Sequence, residues 1–170
     1  MRQPFTYSYL QAFLDKLRNA DKAGVTVDEI GLSREKRHLQ AIRLDPPAVA
    51  GDAPDDCPTI LIYAREHAPE SDSSVGLTVM LCWLLSATPE ALQARQALHW
   101  LLIPMLDPDD AAHERFDVGD NFIACNPPAP DALAYAAYLV KWIDAGHRLD
   151  MVINLHNIEC NENPWHLFAP

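Results

Sequence analysis

Three short apolar runs constrain the fold of this chain most: Thr59-Ile60-Leu61-Ile62-Tyr63, Leu98 to Leu106, and Met151-Val152-Ile153-Asn154-Leu155. Each is rich in branched or aromatic residues and short, the pattern of a buried strand rather than a free-standing helix. Between them the spacing turns helical. Val75 to Leu85 is an apolar helix that Ser71, Asp72 or Ser73 can cap, Pro89 to Ala97 a shorter one, and Asp131 to His147 a third with Gly146 near its end. Strands that alternate with helices imply βαβ units, so the expected fold is α/β, with a mixed, largely parallel central sheet flanked by helices.

Upstream, Tyr9, Leu10, Phe13, Leu14 and Leu17 give Tyr7 to Ala23 a helical face, with Gly24 as its C-terminal cap. Val25 to Leu44 reads as two strands around the polar turn Gly31 to Glu35. Ala48 to Pro58 and Asp107 to Pro130 read as loops, the second long enough to suggest a functional role.

Composition excludes several classes. At 170 residues with 49% hydrophobic and 22% charged positions, the chain can build one domain around a core, residues 1–170. A formal net charge of −11 argues against a nucleic-acid partner. Apolar stretches are too short for a membrane span, and the N-terminus lacks a signal-peptide core, so a soluble, cytoplasmic protein is expected. Cys57, Cys82, Cys125 and Cys160 contain no C-x-x-C pair and read as reduced structural thiols, with Cys82 buried in the apolar helix.

Chemistry concentrates at two strand ends. His67 and Glu70 follow directly behind the run at Thr59, and His156 follows the run at Met151. Two imidazoles and a carboxylate form the ligand set of an open zinc site that leaves a coordination position for water or substrate. In an open α/β sheet, ligands bind outside the carboxyl ends of the strands, so both segments should reach one rim. His99, His113, His147 and His166 lack motif partners and read as structural or exposed. Arg65, beside Glu66, reads as either a functional group or an ion-paired surface one.

Four segments in order carry a family resemblance. Ala64 to Ser71 matches the pattern A-R-x-H-x-x-E-S, and Ile30-Gly31-Leu32-Ser33 with Arg37 resembles an I-G-x-S turn. Pro104-Met105-Leu106-Asp107-Pro108-Asp109 resembles P-M-L-N-P-D-G, and Asn154-Leu155-His156-Asn157 resembles D-L-H-G. The chain is thereby similar to the zinc carboxypeptidases, particularly their cytosolic branch. The resemblance implies zinc held by His67, Glu70 and His156, and hydrolysis of a peptide bond.

The departures from the family pattern shape the functional expectation. A general-base glutamate far beyond the third ligand is implied, yet none is identified here. Glu159 and Glu162 lie in no matching motif, and the chain is expected to lack the C-terminal portion of the family domain. For the Asn-Arg pair that grips a substrate carboxylate, the best match is Asn121 followed by Phe122, while Arg115 matches a second family arginine in an oxyanion or carboxylate contact. Asp107 and Asp110 stand where the family has Asn and Gly. Two alternatives follow: an amidohydrolase that deacylates N-acyl amino acids, and a non-catalytic domain that binds zinc and a peptide. An unpaired apolar sheet edge is further expected to promote a homo-oligomer.

Overall fold

A computed structural model describes residues 5–20, 24–46, 57–113 and 129–157 of the chain. Helix α1 (Tyr7–Asn19) precedes a hairpin of β1 (Val25–Leu32) and β2 (His38–Leu44). Then follow β3 (Thr59–Ala64), α2 (Ser71–Leu84), α3 (Pro89–Ala97), β4 (His99–Ile103), α4 (Pro108–His113), α5 (Pro130–Asp144) and β5 (Met151–Leu155). The five strands form one sheet in the order β1-β2-β4-β3-β5. Its hairpin side is antiparallel, and β4, β3 and β5 run parallel. The sheet is therefore mixed, as the alternation of strand and helix patterns implies.

Period-two alternation divides the core into two layers. Along β3, Leu61 and Tyr63 face a cluster with Trp142 of α5, while Ile62 and Ala64 face one with Leu77, Leu81 and Leu84 of α2 and Leu10, Leu14 and Leu17 of α1. Every residue of β4 is buried, as expected of a strand covered on both faces. Edge strand β5 differs. Met151 and Val152, which point to opposite faces, are each 51% exposed.

Several expectations need correction. Helix α2 is not buried all round: Leu77, Leu81 and Leu84 face the core, whereas Val75, Val79, Cys82 and Trp83 are exposed. An apolar helix on one side of a sheet meets the core along one stripe only, so its composition overstates its burial. Gly24 does not cap α1, which ends at Ala20. It opens β1 instead, at φ +78°, with its carbonyl accepting the Asp45 amide at 2.9 Å. Residues 108–113 of the expected loop form α4, and those from 114 to 128 lie outside the described residues.

Two of the four family-like segments meet through α4. Asp109 accepts hydrogen bonds from Ser33 Oγ at 2.6 Å, the Glu35 amide at 2.9 Å and Arg37 Nη1 at 2.7 Å. The hairpin turn and the segment after β4 are thus tied by one carboxylate. Gly31 lies at the register shift in β1, where an added Cβ would stand 2.6 Å from the Ala134 Cβ of α5. Only glycine allows that approach.

Asp107 caps α4, accepting the Asp110 amide at 3.1 Å. Burial outweighs this hydrogen bond and, with the charges of Asp110, Asp131 and Asp109, pushes the Asp107 carboxyl up to about 7. Because the folded state holds a proton that the unfolded chain releases, this group favours folding below pH 4, and its contribution is lost as pH rises through 7. Asp107→Asn keeps the cap and removes the charge. The variant is expected to be more stable than the wild type by about 4 kcal/mol at pH 8 and nearly equal to it at pH 4, as measured by denaturant titration.

Candidate metal centre

Strand β3 hands its chain through α2 and α3 to β4 on one side, and the chain returns through α5 to β5 on the other. Such a reversal opens a crevice at the carboxyl ends of the strands. The pairing aligns Ala64 with Leu155, so the segments after β3 and β5 leave the sheet side by side.

There the structure brings together His67, Glu70 and His156, with one potential ligand atom from each within 4.8 Å of the others. The Glu70 carboxylate lies between the two imidazoles, with Oε1 3.2 Å from His67 Nδ1 and Oε2 2.9 Å from His156 Nδ1. The ring centroids are 5.0 Å apart. Around a tetrahedral zinc with bonds of about 2.1 Å, neighbouring ligand atoms stand roughly 3.4 Å apart, so the two contacts to Glu70 are near that edge length. The donor set and its spacing fit zinc.

Arg65 shapes the loop that carries His67 and Glu70. It adopts φ +59°, which turns the chain sharply out of β3. Its side chain is 4% exposed, correcting the surface reading. Nη1 donates to the Phe5 carbonyl at 2.6 Å and Nε to the Ala68 carbonyl, so the guanidinium braces both the loop and the segment before α1. The Arg65 amide donates to Ser73 Oγ at 3.1 Å, and Ser73 Oγ donates to the Glu70 carbonyl at 2.6 Å. The start of α2 is thereby fastened to the ligand loop. Glu70 occupies its N-cap position without a side-chain capping bond, leaving its carboxylate to the histidines.

Glu66 and Asn154 were not legible as site residues. Glu66 is 6% exposed, and its Oε2 accepts from Asn154 Nδ2 at 2.5 Å. Their sequence signal is that each lies within two residues of a ligand candidate, Glu66 at the variable position of its family-like segment and Asn154 at the first position of the other. The other histidines sit elsewhere. His99 is buried with Nδ1 2.9 Å from Asp45 Oδ1, His147 stacks on Trp142 at 4.0 Å between centroids, and His113 Nε2 is 2.7 Å from Glu35 Oε2. Arg115, Asn121, Glu159, Glu162 and His166 lie outside the described residues. A groove of about 490 Å³ lined by Asp28, Arg43, Tyr138, Lys141, Trp142 and His147 contains none of the three ligand candidates. Donor chemistry, not concavity, marks the site.

Residues 10–115 match the family model described as zinc carboxypeptidase. The chain belongs to the zinc carboxypeptidase family. The matched segment contains His67 and Glu70, while His156 lies beyond it and is joined to them by geometry. Among curated proteins, the chain is 28% identical over 106 residues to cytosolic carboxypeptidase 6 of Mus musculus, a match covering 62% of this chain and 19% of that protein. It is 24% identical to cytosolic carboxypeptidase 1 of Mus musculus, covering 88% of this chain and 14% of that one. Among solved structures, a metallo-carboxypeptidase from Burkholderia cenocepacia superposes with a TM-score of 0.71 at 21% identity, covering 91% of this chain and 42% of its own. Thrombin activatable fibrinolysis inhibitor gives 0.73 at 12% identity, covering 92% and 48%. These two likenesses establish the fold. This family member spans about a fifth or less of the length of the curated relatives it matches.

Proposed function

We propose that this chain holds zinc through His67, Glu70 and His156 and serves in carboxypeptidase-like hydrolysis of peptide bonds. The observation that carries this reading is the convergence of two imidazoles and a carboxylate from separate strand ends in the crevice between β3 and β5. When bound, zinc would supply Lewis acidity, polarising the scissile carbonyl and lowering the pKa of a water molecule toward neutrality. The chain's own contribution is to present three ligands at fixed spacing, with Arg65 bracing the loop that bears two of them. Arg115 and Asn121 are proposed to contact the substrate, and the general base is not assigned to any residue. The names of the cytosolic relatives support a cytoplasmic setting. Exposed Met151 and Val152 on β5 support self-association through that edge.

Assay of the zinc-loaded chain on short peptides and on N-acyl amino acids tests the reaction. Release of the C-terminal residue from peptides, abolished by a chelator and restored by zinc, is the expected result. Preferential cleavage of N-acyl amino acids would favour the deacylase instead. Stoichiometric zinc and peptide binding without turnover would identify a binding domain.

A further inference from the structure

A histidine that binds a metal through one ring nitrogen ordinarily gives its other N–H to an oxygen acceptor, which fixes the ring and strengthens it as a ligand. His156 directs Nδ1 at Glu70, and its Nε2 faces Glu66 Oε2 at 3.9 Å. Glu66 is otherwise unexplained, because a buried carboxylate is costly unless a specific contact compensates it. Asn154 provides one such contact at 2.5 Å, and its amide orientation follows from the charge it meets. Turned the other way, Asn154 would place Oδ1 against the carboxylate. In the observed orientation Oδ1 is buried without a hydrogen-bond partner among the described residues. One variable position and one departure from the family-like segments therefore form one pair: Glu66 at the variable position before His67, and Asn154 where D-L-H-G has an aspartate.

We propose that Glu66, held by Asn154, is a positioning residue that orients the His156 imidazole for metal binding. A small rotation of either side chain closes the 3.9 Å gap to a hydrogen bond. This inference rests on the zinc site proposed above.

Its test is zinc affinity, measured on the full chain by competition with a chromophoric chelator. Glu66→Gln, which preserves shape and removes charge, is expected to weaken zinc about 10- to 100-fold, and Glu66→Asp, which retains the charge, to weaken it less. In a His156→Ala background, where Glu66 has no ring to orient, Glu66→Gln should leave the residual affinity unchanged. A purely structural role would produce the same loss in both backgrounds and would overturn the proposal. Affinity of Glu66→Gln within about twofold of wild type would also overturn it while leaving the zinc site intact. A wild-type chain that takes up no zinc removes both. Thermal melting of the metal-free forms checks folding, and Glu66→Asp carries the same two-background comparison if Glu66→Gln does not fold.

Discussion

Zinc affinity is expected to fall by more than a hundredfold when Glu70 is replaced by Gln or His156 by Ala. That exceeds the roughly 10- to 100-fold loss expected of a residue that only orients a ligand. Glu70 is the anionic member of the set, and its carboxylate spans both imidazole Nδ1 atoms at 3.2 and 2.9 Å. Removing its charge therefore costs a ligand and the electrostatic tie between the other two. The comparison to make is the melting temperature with and without zinc. A ligand held at a hundred times its dissociation constant stabilises the fold by about 2.7 kcal/mol, so the wild type should melt several degrees higher with zinc. Glu70→Gln and His156→Ala should show no such rise at the same concentration. The metal-free melting of His156→Ala should stay close to that of the wild type, because His156 lies at the partly exposed rim.

The largest loss of stability is expected from Arg65→Ala. The guanidinium is buried and donates to the carbonyls of Phe5 and Ala68, from segments that otherwise lack a common element. Truncation leaves buried acceptors unpaired at about 1–3 kcal/mol each, so a loss of roughly 3–5 kcal/mol is expected. For a chain of this size that lowers the melting temperature by about 10 °C. Arg65→Lys should recover only part of it, since an ammonium cannot reproduce two divergent N–H vectors. Because the same loop carries His67 and Glu70, zinc affinity should fall as well. A melting temperature within 2 °C of wild type would show that Arg65 is not a brace.

Much of the fold was legible because short branched runs and helical spacing alternate so regularly. The three parallel strands, the hairpin and the helices between them follow from period and punctuation in residues such as Thr59 to Tyr63 and Pro89 to Ala97. The one-sided burial of α2 was not. Val75, Val79 and Trp83 are as apolar as Leu77 and Leu81, and only the position of the sheet decides which stripe is covered. At the site, ligand chemistry and strand-end position singled out His67, Glu70 and His156. The burial of Arg65 and Glu66 was hidden because a charged pair before a ligand resembles a solvated loop. Their burial depends on Phe5 and Asn154, which lie 60 and 88 residues away in sequence.

Convergence of His67, Glu70 and His156 on one metal is tested by a crystal structure of the chain grown with one equivalent of zinc, with anomalous differences recorded across the zinc absorption edge. One peak per chain is expected, bound by Nδ1 of His67, Nδ1 of His156 and a Glu70 oxygen at about 2.0–2.2 Å. A peak held by other residues, with His156 turned away from Glu70, would contradict it.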